Sequence, residues 1–391
     1  MRSLFLRLIA GATMLQLQAM TVAVGAEPFF DQKHLFISGI DDVNIYRVPT
    51  LLVSPKGTIL AFCEGRDGDD GDPTDLVLKR SVSSPQPTEQ KTFNGFPRTF
   101  GYGVNWGRMQ VVVPGKGEAI MQNTPVVDHT TGTIFLCCIE VRGGLKVHLD
   151  DMFVGRPLMV KSTDDGVSWS EPEDITPQVG MFVAGPSVGV QLASGRLVIP
   201  GYTGQGSHTQ FSTQPLVIYS DDHGKTWKVS EPVAGSANES QVVELVDGTL
   251  MLNARRKDGP PYRYVALSRN GGETWHEGHH DKNLVDPICQ GSLWRYTKEG
   301  NGGINQLLFS NPANIKKHDR SNLTVKLSRD EGKSWPVSRQ VCAGPAAYSC
   351  LAILADGKIG LLYESGDAQP YERITFARFN LEWLTASAKS P

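Results

Sequence analysis

The chain has 391 residues, 40% hydrophobic and 20% charged, with 38 basic side chains against 41 acidic ones. That balance is far from disordered or membrane-embedded classes, and its weak negative charge gives no electrostatic footprint for nucleic acid. The length is ample for a large buried core, and 41 glycines with 24 prolines suit many short strands joined by tight turns.

In chain order, the first segment reads as an export signal. Arg2 and Arg7 precede an apolar stretch from Leu8 to about Ala26, which ends in Val24-Gly25-Ala26 with no acid before Glu27. Gln16 and Gln18 interrupt a span barely long enough for a bilayer, so cleavage of residues 1–26 is expected over a retained anchor or a buried first strand. The mature chain, periplasmic or secreted, would carry 36 basic and 41 acidic side chains, a net −5. No later segment approaches a transmembrane helix, so no stable membrane insertion is expected.

An apolar strand begins at Tyr46-Arg-Val-Pro-Thr50. After Cys63-Glu-Gly-Arg66 comes the acidic run Asp67-Gly-Asp-Asp-Gly-Asp-Pro-Thr-Asp75, which also allows a calcium loop but lacks full EF-hand spacing and a terminal Glu. Residues 84–107, rich in Pro, Gly and aromatics, read as an inserted loop. In the run Thr133-Ile-Phe-Leu-Cys-Cys-Ile139, strand alternation sends Cys137 and Cys138 to opposite faces. Six cysteines allow disulfides in an exported chain, yet they are sparse and show no metal-ligand spacing. Mostly buried, inert thiols are expected, with no metal and no cofactor.

A pattern Ser-x-Asp-x-Gly-x-Thr/Ser-Trp then recurs as Ser162–Trp169, Ser220–Trp227, Ser268–Trp275 and Ser328–Trp335, its starts 58, 48 and 60 residues apart. In each copy an apolar strand runs into a turn. The Asp side chain can bond backbone amides there, Gly takes a conformation closed to other residues, and the Trp begins the partner strand and covers the hairpin. Asn270 replaces Asp in the third copy and should still form the turn. Strands such as Gly195–Pro200, Gly248–Asn253 and Lys358–Tyr363 follow Ser-Gly or Asp-Gly turn signals. Upstream, Val82–Pro87 stands where a degenerate copy would fall. Counting that unit and a closing unit built from both termini, the expected architecture is all-β, a six-bladed β-propeller over residues 27–391.

The turns alone imply a fold and no activity. Tyr46-Arg-Val-Pro-Thr50, Cys63-Glu-Gly-Arg66, Asn238-Glu-Ser-Gln241, Asn253-Ala-Arg255, Ala347-Tyr-Ser349 and Leu362-Tyr-Glu364 fall in that order between the repeats. Across roughly residues 35–384 this ordered set resembles the exo-sialidase (neuraminidase) family. The resemblance implies that Arg47, Arg255 and Arg320 bind the substrate carboxylate, for which a planar, permanently charged guanidinium is the best partner. Arg256, Lys316 and Lys317 stand close to two of them in sequence. A carboxylate beside the anomeric carbon disfavours an anionic nucleophile, and sialidases are known for a tyrosine instead. By the family pattern the phenol is Tyr348 and its base Glu239, with Tyr363 the alternative phenol.

Glu364 would hold Arg47, and Arg66 would touch a sugar hydroxyl or support the carboxylate site. The acid/base falls in the Asp67–Asp75 run, where the local Asp-x-Gly-Asp pattern selects Asp69 and leaves Asp70 and Asp72 open. These roles imply retaining hydrolysis of terminal sialic acids from glycoproteins, glycolipids or oligosaccharides. A related 2-keto sugar acid, or transfer of the sugar in place of hydrolysis, would leave the same signature. A non-catalytic sialic-acid-binding propeller would have no need of Tyr348, Glu239 and the acidic loop together. A scaffold would have no need of the three arginines.

Overall fold

In the computed structural model, which describes residues 26–82, 91–93, 96–98, 104–143, 155–205, 212–276, 278–297 and 304–386, nearly every strand pairs antiparallel with a strand close to it in sequence. The expected export signal lies outside the described residues except for Ala26, as does much of the 84–107 insert.

After β1 (Phe30–Ile37) the chain builds a meander of β2 (Ile45–Val53), β3 (Ile59–Arg66) and β4 (Thr74–Arg80). A hairpin of β5 (Lys91–Phe93) and β6 (Phe96–Arg98) follows, and β7 (Gln110–Val113) then pairs with β4. The second meander runs through β8 (Ala119–Val127), β9 (Ile134–Val141), β10 (Gly155–Ser162) and β11 (Glu173–Asp174). One helical turn, α1 (Thr176–Val179), leads to β12 (Val183–Ala184), β13 (Val190–Gln191), β14 (Leu197–Gln205), β15 (Ser212–Ser220) and β16 (Lys228–Val229). Next come β17 (Ala237–Glu244), β18 (Leu250–Arg256), β19 (Tyr262–Ser268) and β20 (His279–Val285). The rest is β21 (Ser292–Thr297), β22 (Gln306–Pro312), β23 (Ser321–Ser328), β24 (Val337–Ile353), β25 (Ile359–Ser365), β26 (Arg373–Phe379) and α2 (Leu381–Thr385).

Neighbouring sheets touch through β2, β8, β14, β17, β21 and β24 in that order, and β24 returns to β2, so the sheets close a ring. The long β24 serves two sheets, its first half pairing with β23 and its second with β25. N-terminal β1 pairs antiparallel with C-terminal β26, from Phe30 opposite Phe379 to Ile37 opposite Arg373. The termini thus share the closing sheet, as the repeat count implied. This closed ring of meanders is a β-propeller, an arrangement that leaves only short, protected strand edges.

Apolar clusters fill the space between neighbouring sheets. Val126, Phe135 and Cys137 of the second meander meet Leu197, Leu216 and Ile218 of the third. Cys138, the next residue along β9, packs instead with Phe62 and Leu76 of the first. Strand alternation does send the two thiols to opposite faces. All six cysteines are free and only Cys342 is not buried.

The repeated turns form one construction. Ser162 Oγ donates to Asp164 Oδ1 (2.8 Å), which accepts the Ser168 amide (2.9 Å), while Ser162 Oγ accepts the Gly166 amide (2.9 Å). The copies at Ser220 and Ser328 repeat it, and Asn270 Oδ1 accepts from Ser268 Oγ (2.8 Å) and the Thr274 amide (3.1 Å) in the third. The indoles reach further than their own hairpins. Trp169 stands edge-on to Phe62 of the preceding meander (5.7 Å), and Trp227 does the same to Phe135 (5.9 Å). The repeated turn is therefore a staple between sheets. Gly224 (φ +76°) lies flat against Phe135, where a Cβ would fall 2.3 Å from the ring.

The repeated turns follow the third strand of each meander, which runs parallel to the first. They therefore sit at the opposite end of the ring from the starts of β2 and β17 and the ends of β3, β18 and β25. At that second end the register slips between Arg47 and Thr50, Met121 and Thr124, Ala237 and Ser240, and Ala346 and Ser349. A bulge re-aims the side chains it displaces. Arg47, Glu239 and Tyr348 all lie at these slips.

Candidate active site

Arg47 opens β2 and is 8% exposed. Its Nε donates to Glu364 Oε1 at 2.8 Å, across 317 residues of sequence. The same carboxylate, 0% exposed, accepts the amides of Val48 (2.8 Å) and Tyr348 (3.0 Å). One buried anion thus fixes the first arginine and the backbone of the tyrosine. Burial alone would lower the Arg47 pKa; the Glu364 charge and hydrogen bond, together with the Tyr348 and Tyr371 oxygens, outweigh it and hold the guanidinium above its ordinary range. Val48, clasped by this bond, has φ +57°, a left-handed conformation costly for a β-branched residue. Ile288, beside Arg320, is held similarly at +65°.

Tyr348, 6% exposed, donates its hydroxyl to Glu239 Oε1 at 2.5 Å. Arg255 Nη1 bonds both partners, Glu239 Oε2 at 2.7 Å and the Tyr348 hydroxyl oxygen at 2.9 Å. Burial, then the negative charge of Glu239, pushes the phenol well above its ordinary pKa, against the pull of Arg255 and Arg320. The phenol is therefore neutral at any ordinary pH and can become an oxyanion only as a base takes its proton. Tyr363, the alternative phenol, turns away and donates to Gln32 Oε1 (2.9 Å).

Arg320 precedes β23 and donates to the Tyr371 hydroxyl (2.8 Å) and the Ile288 carbonyl (3.3 Å). Among the described residues it meets no carboxylate. Its guanidinium carbon lies 5.4 Å from the Tyr348 ring centroid and that of Arg47 lies 5.6 Å away, so three arginines surround one phenol.

Arg66 ends β3 almost fully buried, its Nε donating to Glu64 Oε2 (2.7 Å). Glu64 also accepts the Gln122 amide (2.7 Å), and burial raises its pKa even with Arg66 beside it. Asp70 reaches in from the acidic loop. It bonds Arg66 directly and stands 3.9 Å from Arg47 while its side chain stays 65% exposed; partial desolvation would raise its pKa, and the two cations outweigh that and hold the carboxyl below the ordinary value. Asp69 faces solvent and joins only through its backbone, its amide bonding Asp72 Oδ2 (2.8 Å).

Seven of the eight residues singled out in the sequence converge: Arg47, Arg66, Glu239, Arg255, Arg320, Tyr348 and Glu364. Asp69 does not, and Asp70 takes the place beside the arginines. Arg256, one residue from Arg255, turns instead to the Asp286 carbonyl (3.0 Å). Sequence reasoning missed Glu64 and Tyr371. Glu64 had a signal, an acid within an apolar strand two residues before Arg66, whereas Tyr371 sits in a turn with no spacing pattern. No group of three or more His, Cys, Asp or Glu side chains suited to a metal occurs among the described residues. The arrangement is suited to an anionic ligand, with a proton-abstracting pair beneath it.

A family model for the BNR repeat-like domain matches residues 57–361. The sialidase of Micromonospora viridifaciens is 34% identical over 401 residues, covering 96% of this chain and 58% of that protein's own length. Sialidase-2 of Mus musculus is 30% identical over 388 residues, covering 91% of this chain and 96% of that one. Among solved structures, the Hadza microbial sialidase Hz136 is similar at TM-score 0.75 and 28% identity, covering 90% of this chain and 69% of that one.

Proposed function

The chain belongs to the sialidase family of BNR-repeat proteins, and we propose that it is a retaining exo-α-sialidase releasing terminal sialic acids from glycoconjugates through a tyrosine nucleophile. The observation that carries this reading is the 2.5 Å bond from the Tyr348 hydroxyl to Glu239, braced by Arg255 beneath the other two arginines.

Arg47, Arg255 and Arg320 clamp the substrate carboxylate and so set the anomeric carbon over the phenol. The Tyr348 oxygen attacks that carbon while its proton passes to Glu239. The bond to the leaving oxygen breaks, and that oxygen takes a proton from the loop acid. The product of this step is a glycosyl-tyrosine. Water then attacks the same carbon and gives its proton to the loop carboxylate, and Tyr348 departs with its proton returned from Glu239. Two inversions give net retention.

We assign the acid/base role to Asp70 in place of Asp69, because the Asp70 carboxylate bonds Arg66 and lies 3.9 Å from Arg47, whereas Asp69 joins through its backbone amide. The incoming carboxylate takes over Arg47, one of the cations that hold Asp70 ionised, and adds a negative charge beside it. Both changes raise its pKa, which primes it to protonate the leaving group. The ring of meanders is read as six blades, and residues 1–26 as a signal removed on export.

The test is release of a fluorescent phenol from an α-sialoside by the protein without residues 1–26, alongside Tyr348→Phe. Turnover that falls by orders of magnitude in the variant, with an α-anomer as first product by NMR, is expected. A β-anomer would sink the retaining mechanism, turnover surviving in the variant would remove Tyr348 as nucleophile, and no turnover by folded wild type would sink the activity.

A further inference from the structure

The turn between β25 and β26, residues 366–372, holds a side chain that the mechanism above does not use. The Tyr371 ring lies under the Arg47 guanidinium, 3.8 Å from its carbon to the ring centroid, and the Tyr371 hydroxyl accepts from Arg320 Nη1 at 2.8 Å. One aromatic side chain therefore touches two arginines about 270 residues apart in sequence, one by its face and the other through its hydroxyl. The two arginines are held unequally otherwise. Arg47 has Glu364. Arg320 has a carbonyl at 3.3 Å and no carboxylate among the described residues, so the Tyr371 hydroxyl is its shorter tether.

The turn is built to keep that ring in place. The Tyr371 carbonyl accepts from Ser38 Oγ (2.9 Å) and its amide donates to Gln369 Oε1 (2.9 Å). The Glu372 carboxylate accepts the amides of Asp367 (2.8 Å), Ala368 (2.9 Å) and Gln369 (3.0 Å), and Arg373 pairs with Asp367. None of these bonds uses the tyrosine ring or hydroxyl. The backbone is thus fixed independently of the side chain, and the side chain is directed at the arginines.

We infer that Tyr371 is a positioning residue that sets Arg47 and Arg320 at the separation a substrate carboxylate requires, an inference that rests on the reading of the site given above. A free arginine holds considerable rotamer entropy, and a tether that removes it beforehand leaves less to lose when the ligand binds. The benefit falls on carboxylate binding, in ground state and transition state alike. It therefore appears in KM and affinity and leaves kcat nearly unchanged.

Two variants separate the two contacts. Tyr371→Phe keeps the ring over Arg47 and removes the acceptor for Arg320; Tyr371→Leu removes both. The probes are a 2,3-dehydro sialic acid and its neutral carboxamide, with affinities measured by calorimetry, and a fluorogenic α-sialoside for kcat and KM. For the acid, Kd is expected to rise about tenfold in the Phe variant and about a hundredfold in the Leu variant, with KM following. Affinity for the carboxamide and kcat should each stay within about threefold.

Loss of acid and amide affinity in parallel would mark a merely structural side chain, and unchanged acid affinity in the Leu variant would remove Tyr371 from the site. Either would overturn the inference while leaving the sialidase reading intact. Wild-type protein that prefers the acid to the amide yet cleaves no sialoside would overturn the hydrolase reading and leave Tyr371 in its role. Wild type that binds neither compound would end both.

Discussion

Replacing Glu364 by Gln removes one charge and almost no volume from the centre of the site. The carboxylate accepts three donors in a position with no exposure: Arg47 Nε, the Val48 amide and the Tyr348 amide. A glutamine has one acceptor oxygen, so its NH2 must face either the Tyr348 amide or the other two donors. Each buried donor left unpaired costs about 1–3 kcal/mol, and stripping a buried charge of its partner costs about 3–5 kcal/mol. These costs overlap because the same bonds are counted in both, so the expected loss is about 3–5 kcal/mol in all.

Against a stability of about 5–15 kcal/mol for a folded domain, the variant remains folded but weakened. Freed from Glu364, Arg47 shifts, and a displacement of about 1 Å in such a group lowers kcat/KM by about a hundredfold. Urea unfolding followed by tryptophan fluorescence and kcat/KM on a fluorogenic sialoside measure the two effects. Combining the change with Arg47→Met should cost less than the sum of the single changes, since the buried charge then disappears with its partner. A loss under about 1 kcal/mol with KM unchanged would refute the claim that Glu364 organises this site.

Asp70→Asn should lower kcat about 10²–10⁴-fold on natural glycosides, where leaving-group protonation is needed, and much less on a phenol of low pKa; Asp69→Asn should stay near wild type. The reverse ranking would return the acid role to Asp69. The repeated turns make a separate prediction about pH. Hydrogen bonds from Ser168 and Thr226 hold Asp164 and Asp222 at about 2, below the ordinary value of about 3.9. Their stabilisation is therefore complete above pH ~4 and is lost as pH falls through ~2. In the double variant Asp164→Asn, Asp222→Asn, urea midpoints should change less between those pH values than in wild type. Asn270 shows that the turn tolerates the amide. Equal changes would mean that these two groups contribute nothing to acid unfolding.

Much of the fold is written locally. A period of two, a serine that caps a turn and a glycine with positive φ need only their near neighbours, so the strands, the four stapling turns and the opposite faces of Cys137 and Cys138 could be read directly. Arg47 was legible because a permanent charge in an apolar strand must find a partner. The ordered motifs carried the family. The partner, Glu364, followed only from the family resemblance and not from local pattern, since it lies 317 residues away and meets Arg47 only when β24 and β25 close against β2.

The choices between near neighbours belonged to the tertiary structure. Arg255 and Arg256 differ by one residue, but strand alternation sends the first to Tyr348 and the second to the Asp286 carbonyl. Tyr348 and Tyr363 are both buried tyrosines in paired strands, and only the slip in register between Ala346 and Ser349 aims one at Glu239. Asp69 and Asp70 share a loop whose composition favours neither, and the field of Arg66 and Arg47 draws in the second. Tyr371 left no mark in sequence because its work depends on two arginines brought together by ring closure. Sequence determined the parts and the type of chemistry, because turns, strands and charges act over a few residues. Which atoms meet was decided by the closed ring, because their contacts span the whole chain.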